Sequence, residues 1–179
     1  MLQAAYGEPH RHYHDMGHIE FCLAQFDRVV DRVQSPAAVE LAIWFHDVVH
    51  QPGNTDNEVA SAALFREWAA GLDPALVDAV TSMIVDTIHR DRPSTADGHY
   101  VVDIDLASLG QSWESFQSAS EALRLEQDDL SPAAYAAAQH AFLDGLMTRP
   151  KIYRTPYFQD RYEGTARANI NRMLKNVAA

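Results

Sequence analysis

The chain has 179 residues, 47% of them hydrophobic, and its 25 acidic and 14 basic side chains give a formal net charge of −11. That length buries one core without calling for a second, so a single domain over residues 1–179 is expected, and the acidic balance argues against a nucleic-acid-binding surface. No apolar run approaches a membrane span, and Met1 to Glu8 lacks the basic-then-apolar pattern of a leader, so a cytoplasmic protein with no membrane partner is expected.

The first pattern along the chain is rich in histidine: His10-Arg11-His12-Tyr13-His14-Asp15-Met16-Gly17-His18. If the segment is helical, His14 and His18 share one face. From His18 to Val33 the residues Ile19, Cys22, Leu23, Phe26, Val29, Val30 and Val33 recur at spacings of three and four, which predicts a helix. Cys22, the sole cysteine, falls on its apolar face and reads as a core residue. Ser35-Pro36 supplies an N-cap and first-turn proline for a second helix, which ends in Ala42-Ile43-Trp44-Phe45-His46-Asp47. An imidazole and a carboxylate buried together beside Trp44 and Phe45 require a cation or a dense hydrogen-bond network. His50, four residues after His46, can share its face, so a second-metal or substrate role stands beside simple helix capping.

Thr55 and Glu58 read as a capping box for a helix running to Ala70 and stopped by Gly71. Asp73-Pro74 opens another that runs to about His89, where the ring serves either the helix dipole or a second site. Residues 91–98 read as a loop. Helices follow at 100–109, 112–127, 131–147 and 157–176, jointed at Gly110, Ser112, Ser131-Pro132 and Thr155-Pro156. No segment alternates as a strand, so the fold class is all-α. Two carboxylates, Asp103 and Asp105, stand in an apolar stretch where neither is expected without a partner. Arg124 is a candidate for reaching substrate, against a surface ion pair with Glu121 or Asp128. Arg11 and His10 are candidates for a phosphate, against a flexible arm. Tyr153, Tyr157 and Phe158 read as packing, and His99 and His140 as ordinary helix or core histidines.

A histidine, a His-Asp doublet and a later aspartate form a mixed nitrogen and oxygen ligand set, which suits Mn, Fe, Co, Ni or Zn better than Ca. These residues resemble the HD-domain superfamily of metal-dependent phosphohydrolases, in which one His, a His-Asp doublet and a distant Asp meet at one metal centre. The resemblance implies an HD-type helical bundle and assigns the ligands to His18, His46, Asp47 and Asp105. Tyr13-His14-Asp15-Met16-Gly17-His18 is similar to the Tyr-His-Asn-x-x-His segment of cyclic-nucleotide phosphodiesterases. Phe45-His46-Asp47-Val48-Val49-His50-Gln51-Pro52-Gly53 is similar to their His-Asp-x-x-His-Pro-Gly segment. By that likeness His14 protonates the leaving group. The chain departs from the pattern in having Asp15 for Asn and an extra Gln51 before Pro52-Gly53.

From Tyr6 to about Asn171 the chain also resembles small bacterial proteins described as predicted HD superfamily phosphohydrolases, through segments such as Ile152-Tyr153-Arg154-Thr155-Pro156-Tyr157-Phe158. Ile104-Asp105-Leu106-Ala107 matches the family's last ligand segment better than Asp103 does. Residues two apart on a helix differ by about 200° in direction, so both do not serve one metal.

The implied activity is hydrolysis of a nucleotide or other small phosphate ester by a metal-activated water, with Asp47 accepting a proton. The divalent ion would be Mn, Fe, Co, Ni, Zn or Mg. His50, His89, Arg11 and Arg124 are candidates for a second metal or the substrate. Two other classes stand beside this one. A di-iron oxygenase of the same fold needs further histidines from among His50, His89 and His99, and a non-catalytic metal- or nucleotide-binding module needs only the ligands. None of the eight glycines forms a phosphate-cradling loop. The oligomeric state, a homo-oligomer included, is open.

Overall fold

A computed structural model describes residues 2–127 and 129–177. Among them the chain is helical throughout, with no strand: α1 (Leu2–Ala5), α2 (Met16–Phe26), α3 (Pro36–Phe45), α4 (Asn57–Trp68), α5 (Pro74–Asp86), α6 (Ala96–Asp105), α7 (Trp113–Leu125), α8 (Pro132–Met147) and α9 (Pro156–Val177). No helix of the described residues is long and apolar enough to cross a membrane.

Local sequence accounts for most of the starts. The Asp15 carboxylate accepts the N–H groups of Gly17 and His18 at 2.8 and 3.2 Å, opening α2 just ahead of His18. Asparagine caps equally well, so the Asp15 departure leaves this turn intact. Asp73 caps α5 with Pro74 in its first turn, while Ser112 and Ser131 cap α7 and α8.

Three boundaries differ from the sequence expectation. The first helix stops at Phe26, and its apolar period continues only into a short 3-10 turn at Val30–Arg32. The buried carboxylate of Asp97 on α6 takes the N–H groups of Gln34 and Ser35, both at 2.8 Å, and turns the chain into α3. Ser35 therefore sits at the N-cap without a side-chain bond. The Thr55 and Glu58 capping box does not form. Asn57 closes that loop instead, accepting from the Gln51 N–H at 3.0 Å and donating to the carbonyls of Gln51 and Asn54. Finally, α6 begins at Ala96 rather than residue 100, because Thr95 caps the Gly98 N–H at 3.0 Å.

The helices bury one continuous apolar core. α3 packs on α2, α5 and α6, α4 packs on α5, and α9 lies along α8 and the 3-10 turn Leu106–Gly110. Ile19, Cys22, Ile43, Phe45, Phe65, Ile84 and Ile104 are fully enclosed, and Tyr153 and Phe158 stack within the core as expected. Asp103 is also fully buried. It accepts the Arg154 N–H, the Thr155 N–H and the Thr155 hydroxyl, each at 2.7 Å, and so fastens α6 to the start of α9. This packing brings the first turn of α2 and the C-terminal ends of α3 and α6 to one point.

Gly110 shows how closely α9 approaches its turn: a Cβ there would stand 2.5 Å from the Cβ of Tyr162. Gly110→Ala is expected to destabilise the fold by about 1–3 kcal/mol, the usual effect of overpacking. Gly145→Ala, inside α8 with nothing within 4 Å of the new methyl group, is expected to be neutral or stabilising by up to about 1 kcal/mol. Urea denaturation of the two variants checks both, and equal midpoints would contradict the close approach.

Candidate metal centre

His46 is the C-cap of α3, and its ring orientation is set by a bond to its own helix. Nδ1 lies 2.8 Å from the Ile43 carbonyl, which can only accept, so Nδ1 carries the proton. In the neutral ring Nε2 is then a bare lone pair. It points at the Nε2 of His18 from 3.2 Å, at Asp47 Oδ2 from 2.9 Å and at Asp105 Oδ1 from 3.7 Å. His18 Nε2 in turn lies 3.5 Å from Asp47 Oδ2 and 3.2 Å from Asp105 Oδ1. Both imidazoles are buried, and the carboxylate side chains retain only 12% and 18% exposure.

The separations between these donor atoms carry information. Four ligands placed tetrahedrally at about 2.0–2.1 Å from a metal stand about 3.3 Å from one another. The five separations run from 2.9 to 3.7 Å, so the residues fit a small divalent ion without rearranging the helices. His18, His46 and Asp47 together are a buried group able to hold a metal ion. Electrostatics point the same way. Burial alone would pull the His46 pKa down, yet Asp47 and Asp105 beside it raise it well above its ordinary value. Burial likewise opposes ionisation of Asp47 and Asp105, and the facing histidines outweigh it, holding both carboxyls low. The cluster demands positive charge at its centre, from protons or from a cation.

Cys22 Sγ comes within 3.6 Å of His18 Nε2. Burial, reinforced by Asp105 and Asp47, pushes its thiol up and keeps it neutral, as befits a core residue. Asp103 faces away from the cluster into its bonds with Arg154 and Thr155, whereas Asp105 joins it.

Next to the cluster lies a second group that the sequence reading only half identified. His14 Nδ1 is 2.5 Å from Glu126 Oε2, and His50 Nε2 is 3.3 Å from the same oxygen. The other oxygen of Glu126 accepts the backbone N–H groups of His12, Tyr13 and His14 at 2.7, 2.7 and 2.9 Å. Glu126 carried no motif. Its one signal was position: an acidic residue at the C-terminal end of a helix opposes the helix dipole, which implies a partner elsewhere.

Arg11 is not free for a phosphate. Its buried guanidinium bonds Glu8 at 3.0 Å and the carbonyls of His14, Asp47 and Val48 at 3.0, 2.7 and 3.0 Å, tying the segment before α2 to the turn that carries Asp47. His10 bonds the His50 carbonyl at 3.0 Å, so this segment is no loose arm. Arg124 does not face the cluster. Its guanidinium closes the α7–α8 turn through the carbonyls of Gln127 and Leu130 and lies over Tyr135, and the Glu121 pairing does not form. Asp128, its other expected partner, lies outside the described residues.

His89 follows α5 in a left-handed conformation, φ 60°, with its Nε2 2.7 Å from Asp105 Oδ2. The Arg149 guanidinium donates to the His89 carbonyl and holds that turn. His99 bonds the Pro93 carbonyl and stands apart from the cluster. No family model, no curated protein and no solved structure matches the chain.

Asp105→Asn is expected to remove most of the bound divalent metal measured by elemental analysis, and Asp103→Asn to leave metal content intact while lowering the urea midpoint. The reverse order would move the centre to Asp103.

A pH prediction follows from Glu126 and His14. Burial opposes the Glu126 charge, but His14, bonded to it, and His50 beside it hold its carboxyl well below the usual range. Its stabilisation is therefore present above the ordinary glutamate pKa of about 4.3 and is lost as pH falls through the lowered value. Burial also opposes the His14 charge, but Asp47 and Glu126 raise its pKa. That contribution is full below about 6.5 and is lost as pH rises through the raised value. The stability gap between wild type and Glu126→Gln, in EDTA, is thus expected to be widest near pH 5–6 and to narrow on both sides. A flat gap from pH 4 to 8 would show that the two groups do not charge together.

Proposed function

We propose that the protein is a metal-dependent phosphohydrolase of the HD-domain superfamily, acting on a nucleotide or another small phosphate ester. The observation that carries this reading is the His46 ring. Its proton is committed to the Ile43 carbonyl, and its lone pair is aimed, out of water, at a second imidazole and two carboxylates. Such an arrangement is strongly repulsive unless protons or a cation fill it, and its spacings suit a cation closely.

His18, His46, Asp47 and Asp105 would hold a divalent ion, which would supply Lewis acidity toward water and a phosphoryl oxygen. The protein's own groups supply the rest. Asp47, ionised and nearly buried beside the ligands, accepts a proton from the attacking water. The hydrogen bond between His14 Nδ1 and Glu126 orients the His14 ring and leaves Nε2 to carry the proton given to the departing oxygen. Asp47 and Glu126 raise the His14 pKa against burial, which favours the protonated ring a proton donor needs. Glu126 is a positioning residue in this scheme, and Arg11 holds the backbone on which both His14 and Asp47 sit.

A di-iron oxygenase would need further histidines at the cluster. Of His50, His89 and His99, only His89 reaches it, which favours hydrolysis. A binding module without turnover would have no use for a buried His-Glu pair beside the ligands.

His14→Ala is expected to keep its metal and to lose about a hundred- to ten-thousand-fold in turnover on alkyl phosphates, the usual range for a positioned general acid, and much less on aryl phosphates. Glu126→Gln presents an amide donor to His14 and favours the wrong tautomer, so its loss should show the same leaving-group dependence and a shifted basic limb of the pH profile. Equal losses on both substrate types would remove His14 from the proton-donor role. A purified protein with full metal and no activity on any phosphate ester would remove the hydrolase reading.

A further inference from the structure

The proposed reaction uses Glu126 to orient one histidine, yet two histidines face it. His14, His50 and Glu126 each offer one ligand atom within 4.8 Å of the others, and Glu126 Oε2 lies 2.5 Å from His14 Nδ1 and 3.3 Å from His50 Nε2. Glu126 Oε1 is saturated by three backbone N–H groups, so only Oε2 looks into this space. His50 is only 8% exposed, and its Nε2 has no hydrogen-bond partner although it points at that oxygen. A buried polar atom left unpaired is costly. The His50 ring is flanked by His14, with centroids 4.5 Å apart, and by His10, 6.0 Å away with planes 13° apart. No element of the reaction explains this nitrogen.

We propose that His14 Nδ1, His50 Nε2 and Glu126 Oε2 form a second cation site, selective for zinc, whose occupation inhibits the enzyme by taking His14 away from the reaction. Two imidazole nitrogens and one carboxylate oxygen, with a fourth position open beside the 23%-exposed side chain of His14, are a ligand set for zinc rather than for magnesium or manganese. Ligands about 2.0–2.1 Å from zinc stand about 3.3 Å apart. The His50 to Glu126 separation already has that value, and the His14 to Glu126 pair opens by under about 1 Å once its shared proton leaves to solvent. Zinc at this place would take the Nδ1 position that a proton holds in the imidazolium, so the Nε2–H that remains would be a far weaker acid than the imidazolium's, and the ring would be tied to the metal. The inhibitory consequence rests on the reading of His14 as proton donor. The binding itself does not.

The test counts zinc bound by the metal-free full-length protein, by calorimetry and by elemental analysis after gel filtration, in wild type, His46→Ala and His50→Ala. Two equivalents are expected in the wild type and one in each variant. One equivalent in the wild type that survives in His50→Ala and disappears in His46→Ala overturns the second site and leaves the metal centre standing. One that survives in His46→Ala and disappears in His50→Ala does the opposite. Should His50→Ala fail to fold, cadmium-113 resonances of the wild type decide: two signals support the site and a single one overturns it. In turnover, added zinc should inhibit the wild type at a concentration at least tenfold below that needed for His50→Ala. Equal inhibition of the two proteins overturns the inhibitory role.

Discussion

Two carboxylates, Asp47 and Asp105, are held nearly out of water at a place where three helix ends meet, and the fold around them is arranged to make that tolerable. Among the described residues neither carboxylate is bonded to a lysine or an arginine side chain; each is faced by imidazoles, whose charge is conditional. Without metal the carboxylates favour a second proton on His46, raising its pKa, while the facing histidines hold Asp47 and Asp105 ionised. With metal the same lone pairs become ligands. Metal and protons therefore compete for one set of atoms, and uptake of the ion releases protons.

The segment from Glu8 to Asp15 has no helix or strand to satisfy its backbone, and buried charged side chains do that work instead. Arg11 bonds three carbonyls across this segment and the turn after α3, while Glu126 bonds three consecutive N–H groups. The two groups carry opposite charge, but each binds main chain rather than the other. Backbone polar groups in a buried irregular stretch must find partners, and charged partners make short bonds that hold His14 in one place. The cluster and the His14 ring thus borrow their rigidity from side chains bonded to the main chain around them.

How far this was legible beforehand divides along a physical line. Features written in local spacing were readable: the all-helical pattern, the proline and serine starts of α3, α5 and α8, and the His-Asp doublet at a helix end. The meeting of His18, His46, Asp47 and Asp105 came from likeness to a family pattern, because contacts across 28 to 87 residues leave no period in a sequence. Unreadable were the carboxylates that cap another element's backbone. Asp97 ends the apolar repeat of α2 early by capturing Gln34 and Ser35, Asp103 fastens α9, and Glu126 organises the segment holding His14. Each looks in the sequence like an ordinary acidic residue on a helix. Arg11 and Arg124 were misjudged for the same reason: their partners are carbonyl oxygens, which every residue has.

His89 sets backbone and side chain against each other. A non-glycine residue at φ 60° carries a conformational penalty, and the turn is kept in place by a guanidinium from beyond α8. Glycine would sit there without strain, yet the chain has a histidine whose ring reaches Asp105. At this position the substitution that most eases the fold also strips the cluster of a neighbour. Selection for thermal robustness alone would drift toward glycine here, so the persistence of the ring in laboratory evolution under a growth requirement, and its loss without one, would read out whether the centre is used.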